Sequence, residues 1–325
     1  MKINKVIYIV FILCSNHIFS QIWFPIDTSY TVKSAFIKSV KKYPTINIAQ
    51  PNKPENVIES QNIIYKEIGD RKLHFDAYIQ NSNNIKPAIV ILHGGGWISG
   101  NKSHVKYLAQ QIASKGYACF AIEYRLSPEA KYPAGIYDIK KAIQFVKENG
   151  DKFNVDTAKV AILGCSSGGQ MAALIGATNN NDDFEELQGI NNQSTTVQAI
   201  IDIDGILAFK HPQSKEERVA GLWLGGNYVE EPENWKMASA LTHVGEDTPP
   251  ILFINSQFER FHAGRDDMIK ILDQYGIYNQ VKTIENSPHT FWLFHPWFNE
   301  TVKYSIQFLD KTFKGLNPLK LSAEK

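Results

Sequence analysis

Cysteine is scarce in this chain, which has 325 residues and three cysteines, Cys14, Cys119 and Cys165. So few cysteines in a chain of this size do not form a disulfide framework. Because Cys119 and Cys165 lie in or beside apolar stretches, we expect them to be buried thiols. The sequence also contains no Cys-x-x-Cys pair and no His-Glu-x-x-His motif. Nothing in it therefore predicts a metal ion held by the protein, and we expect no cofactor.

An excess of charge of either sign is also missing, since 34 basic and 33 acidic residues leave a formal net charge of +1. Proteins that bind nucleic acid or an anionic membrane normally carry a marked basic excess, so we expect no nucleic-acid partner. The composition is ordinary for a globular protein, with 43% hydrophobic and 21% charged residues and no repeats. The length suits one large α/β domain or two small ones.

No long hydrophobic run marks the N-terminus, where the apolar stretch of residues 6–13 is too short to span a bilayer. Two lysines precede this stretch and small or polar residues follow it, which is the pattern of a secretory signal peptide. We predict that residues 1–20 are removed after Ser20 and that the protein is secreted or periplasmic. Two alternatives remain: a lipid anchor on Cys14, which the leucine before it disfavours, and a buried first strand or helix.

Short β-rich runs follow from about residue 61 onwards. Residues 63–78 predict an antiparallel hairpin that turns at Gly69 and Asp70. Strands then alternate with helices, which favours an α/β fold whose mainly parallel sheet is covered on both faces. The later predicted strands are 88–92, 117–124, 160–163, 199–203, 251–255 and 281–284, and the predicted helices are 103–115, 134–148, 266–275 and 298–313.

The chain divides into three parts after the predicted signal peptide. Residues 21–60 contain aromatic side chains without a clear period, so we expect an irregular arm packed on the domain. Residues 61–318 are predicted to form the α/β domain. Within it, residues 206–244 lack strong alternation and lie between two predicted core strands. We therefore expect a cap-like insertion over the strand ends, where function often resides.

The candidate chemistry is organised around residues 161–173, an apolar strand, a tight turn and a helix that opens with small residues. Residues 164–168 (G-C-S-S-G) fit the G-x-S-x-G nucleophile elbow, in which a serine on a strained turn presents its hydroxyl at the end of a sheet. This motif identifies Ser166 as the candidate nucleophile. A motif centred on Ser167 would begin with Cys165, which lacks the conformational freedom of glycine.

A run of glycines follows an earlier strand, in residues 93–97 (H-G-G-G-W). Without side chains in the way, backbone N–H groups there are free to point into a cavity, as an oxyanion hole requires. The alternative is a glycine-rich turn between a strand and a helix that has no chemical role.

A serine needs a histidine to accept its proton and a carboxylate to orient that histidine. His289 and His295 come after the last predicted strand, and His289 is the better candidate because His295 precedes a proline that suits a helix start. The loop after strand 251–255 offers Glu259, Asp266 and Asp267 as the acid. Glu259 has the more usual position, whereas Asp266 lies near a helix start, where a capping role is also plausible.

These motifs together resemble the α/β-hydrolase superfamily, and within it the esterases that carry an H-G-G-G motif. The resemblance runs from about residue 63 to the C-terminal helix, and implies that the N–H groups of Gly95, Gly96 and Ser167 form the oxyanion hole. Further matches are residues 123–127 (E-Y-R-L-S), residues 132–134 (Y-P-A) and Asp138.

Two stretches near the C-terminus are more particular. Residues 260–267 (R-F-H-A-G-R-D-D) and 288–297 (P-H-T-F-W-L-F-H-P-W) are similar to those of secreted bacterial carbohydrate esterases that deacetylate xylan or pectin. The R-F-H-A-G-R-D stretch recurs in that group, so the resemblance favours Asp266 over Glu259 as the acid. Asp266 then lies further from the preceding strand than is usual for this family.

The expected function is that of a secreted serine esterase that removes acetyl groups from a polysaccharide such as xylan or pectin through an acyl-enzyme. A general short-chain carboxylesterase or lipase-like hydrolase is the alternative. A non-catalytic carbohydrate-binding protein on a hydrolase scaffold is a remote one, disfavoured by the presence of Ser166 and His289. Aromatic faces suit sugar rings, so Trp97 and Trp292 are predicted to line the substrate pocket, although filling the core is their alternative role.

Overall fold

The computed structural model describes residues 27–186 and 193–315. The predicted signal peptide of residues 1–20 and the beginning of the predicted arm lie outside these residues. Every helix in the described part of the chain is too short or too polar to cross a membrane. Cys119 and Cys165 are free and buried, which confirms the expectation for both.

Within the described residues, the centre of the fold is a mixed sheet of eight strands, and two short strands form a second sheet. In chain order the strands are β1 (Asn47–Ile48), β2 (Val57–Ile68), β3 (Arg71–Gln80), β4 (Lys86–Leu92), β5 (Ala118–Ile122), β6 (Val155–Cys165), β7 (Ala199–Ile203), β8 (Ile251–Ser256), β9 (Asn279–Ile284) and β10 (Phe294–His295). The order across the large sheet is β2-β3-β5-β4-β6-β7-β8-β9. In this large sheet β3 pairs antiparallel with β2 and β5, and the remaining neighbours pair in parallel. The predicted parallel sheet with its antiparallel hairpin is confirmed.

Helices cover both faces of the large sheet. They are α1 (Val32–Val40), α2 (Lys106–Ala113), α3 (Ala134–Glu148), α4 (Gly150–Phe153), α5 (Ser167–Ala177), α6 (Glu217–Leu224), α7 (Pro232–Met237), α8 (Arg265–Gln274) and α9 (Trp297–Lys314). Buried residues of α3, α5 and α8 belong to one hydrophobic core, and those of α2 and α9 belong to another. The helix predicted at residues 134–148 has the bounds of α3, and the other predicted helices lie close to their observed positions.

β4 explains why the central strands are unbroken apolar runs in the sequence. Val90 and Leu92 belong to one core, whereas Ile89 and Ile91 belong to the other. Successive side chains of a strand point to opposite faces, and both faces of this sheet are covered by helices. Each fully buried side chain of this kind contributes about 1.5–3 kcal/mol to folding. The apolar run therefore predicts the strand but does not distinguish its two faces.

The described part of the N-terminal arm is more regular than its composition predicts. It contains α1, which a capping box begins: Thr31 Oγ1 accepts from Ser34 N at 3.0 Å, and Ser34 Oγ accepts from Thr31 N at 2.9 Å. β1 of the arm pairs antiparallel with β10, just before α9. The expectation of an irregular arm was wrong, because a short helix capped by serine instead of glutamate carries little signal in the sequence.

The segment between β7 and β8 contains α6, α7 and a 3₁₀ helix at Ala240–His243. Its tryptophans, Trp223 and Trp235, are 1% exposed. The ring of Trp223 stacks on that of Trp97 in the turn after β4, with 5.3 Å between ring centroids. The insertion predicted at residues 206–244 thus packs against the glycine-rich turn.

Candidate active site

Ser166 lies between the end of β6 and the start of α5, on a sharp turn. Its backbone has φ +56° and ψ −120°, a conformation that costs a residue with a side chain about 1–3 kcal/mol. The flanking glycines have no room for a side chain: a Cβ on Gly164 would lie 1.9 Å from Gly168 O, and one on Gly168 would lie 2.5 Å from His93 O. The strained turn is held in place by backbone contacts that only glycine permits.

His289 lies in the loop after β9 and contacts Ser166 directly. The distance from Ser166 Oγ to His289 Nε2 is 2.8 Å. The side chain of His289 is 19% exposed, so the pair is open to solvent on one side. His295, the less favoured histidine, instead belongs to β10, where it pairs with Asn47. The structure thus brings together the serine and the histidine that the sequence selected.

The carboxylate against His289 belongs to Asp204, immediately after β7. His289 Nδ1 is 2.7 Å from Asp204 Oδ2, and the side chain of Asp204 is fully buried. Ser256 at the end of β8 donates to the same carboxylate twice, from N at 2.9 Å and from Oγ at 2.6 Å. With Nδ1 donating to Asp204, Nε2 of His289 is the acceptor that faces the serine.

Asp204 is ionised despite its burial. Burial alone would raise the pKa of this carboxyl, but contacts with His262, His289 and Ser256 outweigh it and hold the pKa below its ordinary value. A buried carboxylate that keeps its charge in this way orients an imidazole and stabilises its protonated form.

The predicted acid was wrong. Asp266 lies in the first turn of α8 with its side chain 65% exposed and bound to Arg265, and Glu259 is also exposed. Asp204 contacts His289 in their place. The adjacency of β7 and β8 explains its position, because it brings Asp204 beside Ser256. The sequence did hold a signal: Asp204 directly follows the predicted strand 199–203 and keeps the chain order of serine, acid and histidine.

The glycine-rich turn after β4 lies against the elbow. A Cβ on Gly94 would be 2.7 Å from Cys165 O and 3.1 Å from Ser166 Cβ. Gly95 and Gly96 have φ of +140° and +63°, which side chains disfavour. This places the candidate N–H donors of the turn beside the serine, and Ser167 opens α5, where the first N–H groups have no partners within the helix.

His93, the first residue of the turn, is structural. Its side chain is 1% exposed, and burial lowers its pKa to about 3, so the imidazole is neutral. Tyr124 Oη donates to His93 O at 2.7 Å, and the two rings stack with centroids 4.5 Å apart. These contacts fix the start of the turn.

Trp97 and Trp292 are buried in the core, which was the alternative role considered for them, and the cavity that Trp292 lines beside α2 does not include Ser166 or His289. Trp97 is 4% exposed, and its Nε1 donates to Gln170 Oε1 at 2.9 Å. Trp292 is 2% exposed and meets His289 edge-on, with 5.5 Å between ring centroids. So little of either indole is exposed that neither offers a ring face to a sugar at Ser166, and the prediction that they line the substrate pocket was wrong.

Sequence reasoning gave no role to Phe261, which stacks on His289. The two rings are nearly parallel, with centroids 3.4 Å apart and 12° between their planes. Phe261 lies in a 3₁₀ helix at Glu259–His262, inside the R-F-H-A-G-R-D stretch. The signal for this residue in the sequence is the recurrent stretch itself.

The sheet order, with the elbow at the end of a central strand, is that of the α/β-hydrolases, and the fold is of that class. The chain belongs to the BD-FAE family, whose sequence model matches residues 75–270. The matched region includes the glycine-rich turn, the elbow, Asp204 and the 3₁₀ helix that carries Phe261, whereas His289 follows it.

Known esterases and hydrolases are similar to this chain in sequence or in structure. Esterase LipC of Mycobacterium tuberculosis is 28% identical over 208 residues, which are 62% of this chain and 49% of LipC, so the chain spans about half of that relative. The structure of a truncated carbohydrate esterase from gut microbiota has a TM-score of 0.65 at 23% identity, over 79% of this chain and 99% of that one. An acetyl ester-xyloside bifunctional hydrolase from Caldicellulosiruptor lactoaceticus has a TM-score of 0.66 at 20% identity, over 81% and 98%. The two structures share the fold.

Proposed function

We propose that this protein is a serine esterase in which Ser166 attacks the substrate, His289 transfers protons and Asp204 orients His289. The observation that carries the proposal is a chain of two hydrogen bonds, 2.8 Å from Ser166 Oγ to His289 Nε2 and 2.7 Å from His289 Nδ1 to Asp204 Oδ2. A serine hydroxyl is a weak nucleophile unless a base accepts its proton. Membership of the BD-FAE family and the similarity to esterase LipC support the same class of reaction.

In the acylation step, Ser166 Oγ bonds to the carbonyl carbon of the ester while its proton passes to His289 Nε2. The carbonyl oxygen becomes an oxyanion, which is bound by the N–H groups of Gly95, Gly96 and Ser167. Each such donor contributes about 2.7–4 kcal/mol in the transition state. The bond to the alcohol oxygen then breaks, that oxygen takes the proton from His289, and the acyl group remains on Ser166.

Deacylation uses the same groups with water as the nucleophile. His289 Nε2 accepts a proton from water as the water oxygen bonds to the acyl carbon, and then returns the proton to Ser166 Oγ as the serine ester breaks. The carboxylic acid leaves and the free serine is restored. Asp204 keeps its charge throughout and stabilises the imidazolium without taking the proton.

The proposed substrate is an acetylated plant polysaccharide such as xylan or pectin. Two proteins of similar structure support a carbohydrate substrate, because one is named a carbohydrate esterase and the other an acetyl ester-xyloside bifunctional hydrolase. The signal-like pattern of residues 1–20 supports a secreted or periplasmic enzyme that reaches such polymers.

A general short-chain carboxylesterase is the second candidate. The burial of Trp97 and Trp292 favours it, because neither ring offers a face to a sugar. The similarity to esterase LipC also supports it. A non-catalytic carbohydrate-binding role remains the third candidate, and the contact between Ser166 and His289 argues against it.

Acetate release from acetylated xylan, acetylated pectin and a nitrophenyl acetate separates these candidates. We expect turnover of the polymers by the wild type and a loss of at least about 10³-fold in Ser166→Ala, since a removed nucleophile leaves only binding and the oxyanion hole. Ser114→Ala, at the end of α2, is the matched control and should keep full activity. Reaction of the aryl ester alone would favour the general carboxylesterase. No reaction with any ester would overturn the proposal.

A further inference from the structure

The R-F-H-A-G-R-D stretch borders the acid and the histidine without supplying the acid. Within its 3₁₀ helix, Phe261 stacks on the imidazole of His289. The next residue, His262, is 6% exposed, and its Nδ1 lies 3.6 Å from Asp204 Oδ1. Consecutive residues of the stretch therefore contact both members of the Asp204–His289 pair.

The geometry of the Phe261–His289 stack is unusual for two neutral rings. Ring pairs prefer an offset or edge-to-face arrangement with centroids about 4.5–7 Å apart, because their negative π faces repel each other. Here the centroids are 3.4 Å apart and the planes differ by 12°, so the rings overlap face to face. A cation above an aromatic face is attracted instead. The same geometry therefore becomes favourable once the imidazole is protonated.

We propose that Phe261 is a positioning residue that holds the plane of the His289 imidazole and stabilises its protonated form while Ser166 attacks the ester. The inference rests on the proposed function, in which His289 accepts the proton of Ser166. An interaction that strengthens as the histidine gains charge stabilises the transition state more than the resting enzyme, and so raises kcat. Phe261 itself makes no bond to the reacting atoms.

Arg260 holds the phenyl ring from the other side. Its guanidinium lies 4.2 Å from the centroid of the Phe261 ring. Because the His289 imidazole covers one face of that ring, the guanidinium lies over the opposite face. The Arg260 side chain is 45% exposed and lies 3.6 Å from Glu216. Solvent and this carboxylate screen its charge, so we expect Arg260 to anchor the ring with little influence on the charge of His289.

A fluorination series at Phe261 in the full chain tests the electronic part of this proposal. Replacing Phe261 with mono-, di- and trifluorophenylalanine lowers the negative charge of the π face stepwise while the ring keeps nearly the same size. With a nitrophenyl acetate, we expect kcat to fall progressively, by about 2- to 30-fold in total, with KM little changed. In Phe261→Leu, which removes the aromatic face, kcat should fall at least as far. In Phe261→Trp, which keeps an aromatic face, kcat should stay near that of the wild type.

The same series at Phe258 is the matched control. Phe258 meets Phe261 edge-on with centroids 6.3 Å apart, and its ring lies under Lys42. Fluorination there should leave kcat unchanged. If kcat does not change across the fluorinated Phe261 variants, and their melting temperatures equal that of the wild type, this inference is overturned while the proposed esterase activity stands. An inactive wild type would instead overturn the proposed function, so the two failures are distinguishable.

Discussion

The two halves of the candidate site are built in different ways. The nucleophile half consists of two contiguous motifs, residues 164–168 and 93–97, whose backbones contact each other directly. The acid half is assembled from the ends of β7 and β8, the 3₁₀ helix and the loop after β9. Backbone contact demands glycine at fixed spacing, whereas a carboxylate can reach a histidine from several loops. The nucleophile half is therefore visible as two motifs in the sequence, whereas in the acid half the sequence indicates His289 but leaves several carboxylates open as its partner.

Asp204→Asn is the sharpest test of the acid half, and we expect the largest effect from it. The amide cannot keep His289 in the tautomer that accepts the serine proton, so kcat should fall by about 10⁴-fold. Steady-state kinetics on a nitrophenyl acetate measure this. Asp266→Asn and Glu259→Gln are the controls, because both carboxylates are exposed and should tolerate the change. Full activity in Asp204→Asn, with a large loss in either control, would reverse the assignment of the acid.

Gly95→Ala tests the nucleophile half, with the next largest effect. The added Cβ would lie 2.0 Å from Ser99 O at φ +140°, so the turn must move and its N–H donors must shift. We expect kcat to fall by about 10²–10³-fold, as for loss of an oxyanion donor. The control is Gly276→Ala, at φ +67° with no atom within 4 Å of its Cβ. Equal activity in both variants would mean that Gly95 has no special role.

Tyr43→Phe extends the comparison to the N-terminal arm and should have the smallest effect. Tyr43 Oη donates to Ser287 O at 2.9 Å, two residues before His289, and Gln257 Nε2 donates to the same oxygen at 3.0 Å. Loss of one such bond costs about 0.5–1.5 kcal/mol, so kcat should fall by about two- to tenfold. Tyr275→Phe, whose residue is 54% exposed, is the control. A Tyr43→Phe enzyme indistinguishable from Tyr275→Phe would show that the arm does not position His289.

Most of the fold could be predicted because burial of both sheet faces leaves apolar runs in the sequence. β7 has the predicted bounds 199–203, and α3 has the predicted bounds 134–148. α1 was missed, because a short helix with a Thr-Ser capping box has little signal of its own. The affinity of aromatic faces for sugar rings predicted Trp97 and Trp292 in the pocket, but the sequence does not show how deeply a tryptophan is buried, and both are at most 4% exposed.

The α/β architecture, the elbow at Ser166 and the histidine that contacts it could all be predicted from the amino-acid sequence. These features rest on local requirements: alternating element types, glycines where a Cβ would collide, and a histidine beyond the last strand of the large sheet. The carboxylate that faces His289 and the ring of Phe261 that covers it became evident in the folded chain. The adjacency of β7 and β8 brings Asp204 to Ser256, and residues far apart in the chain form these contacts without any fixed spacing between them.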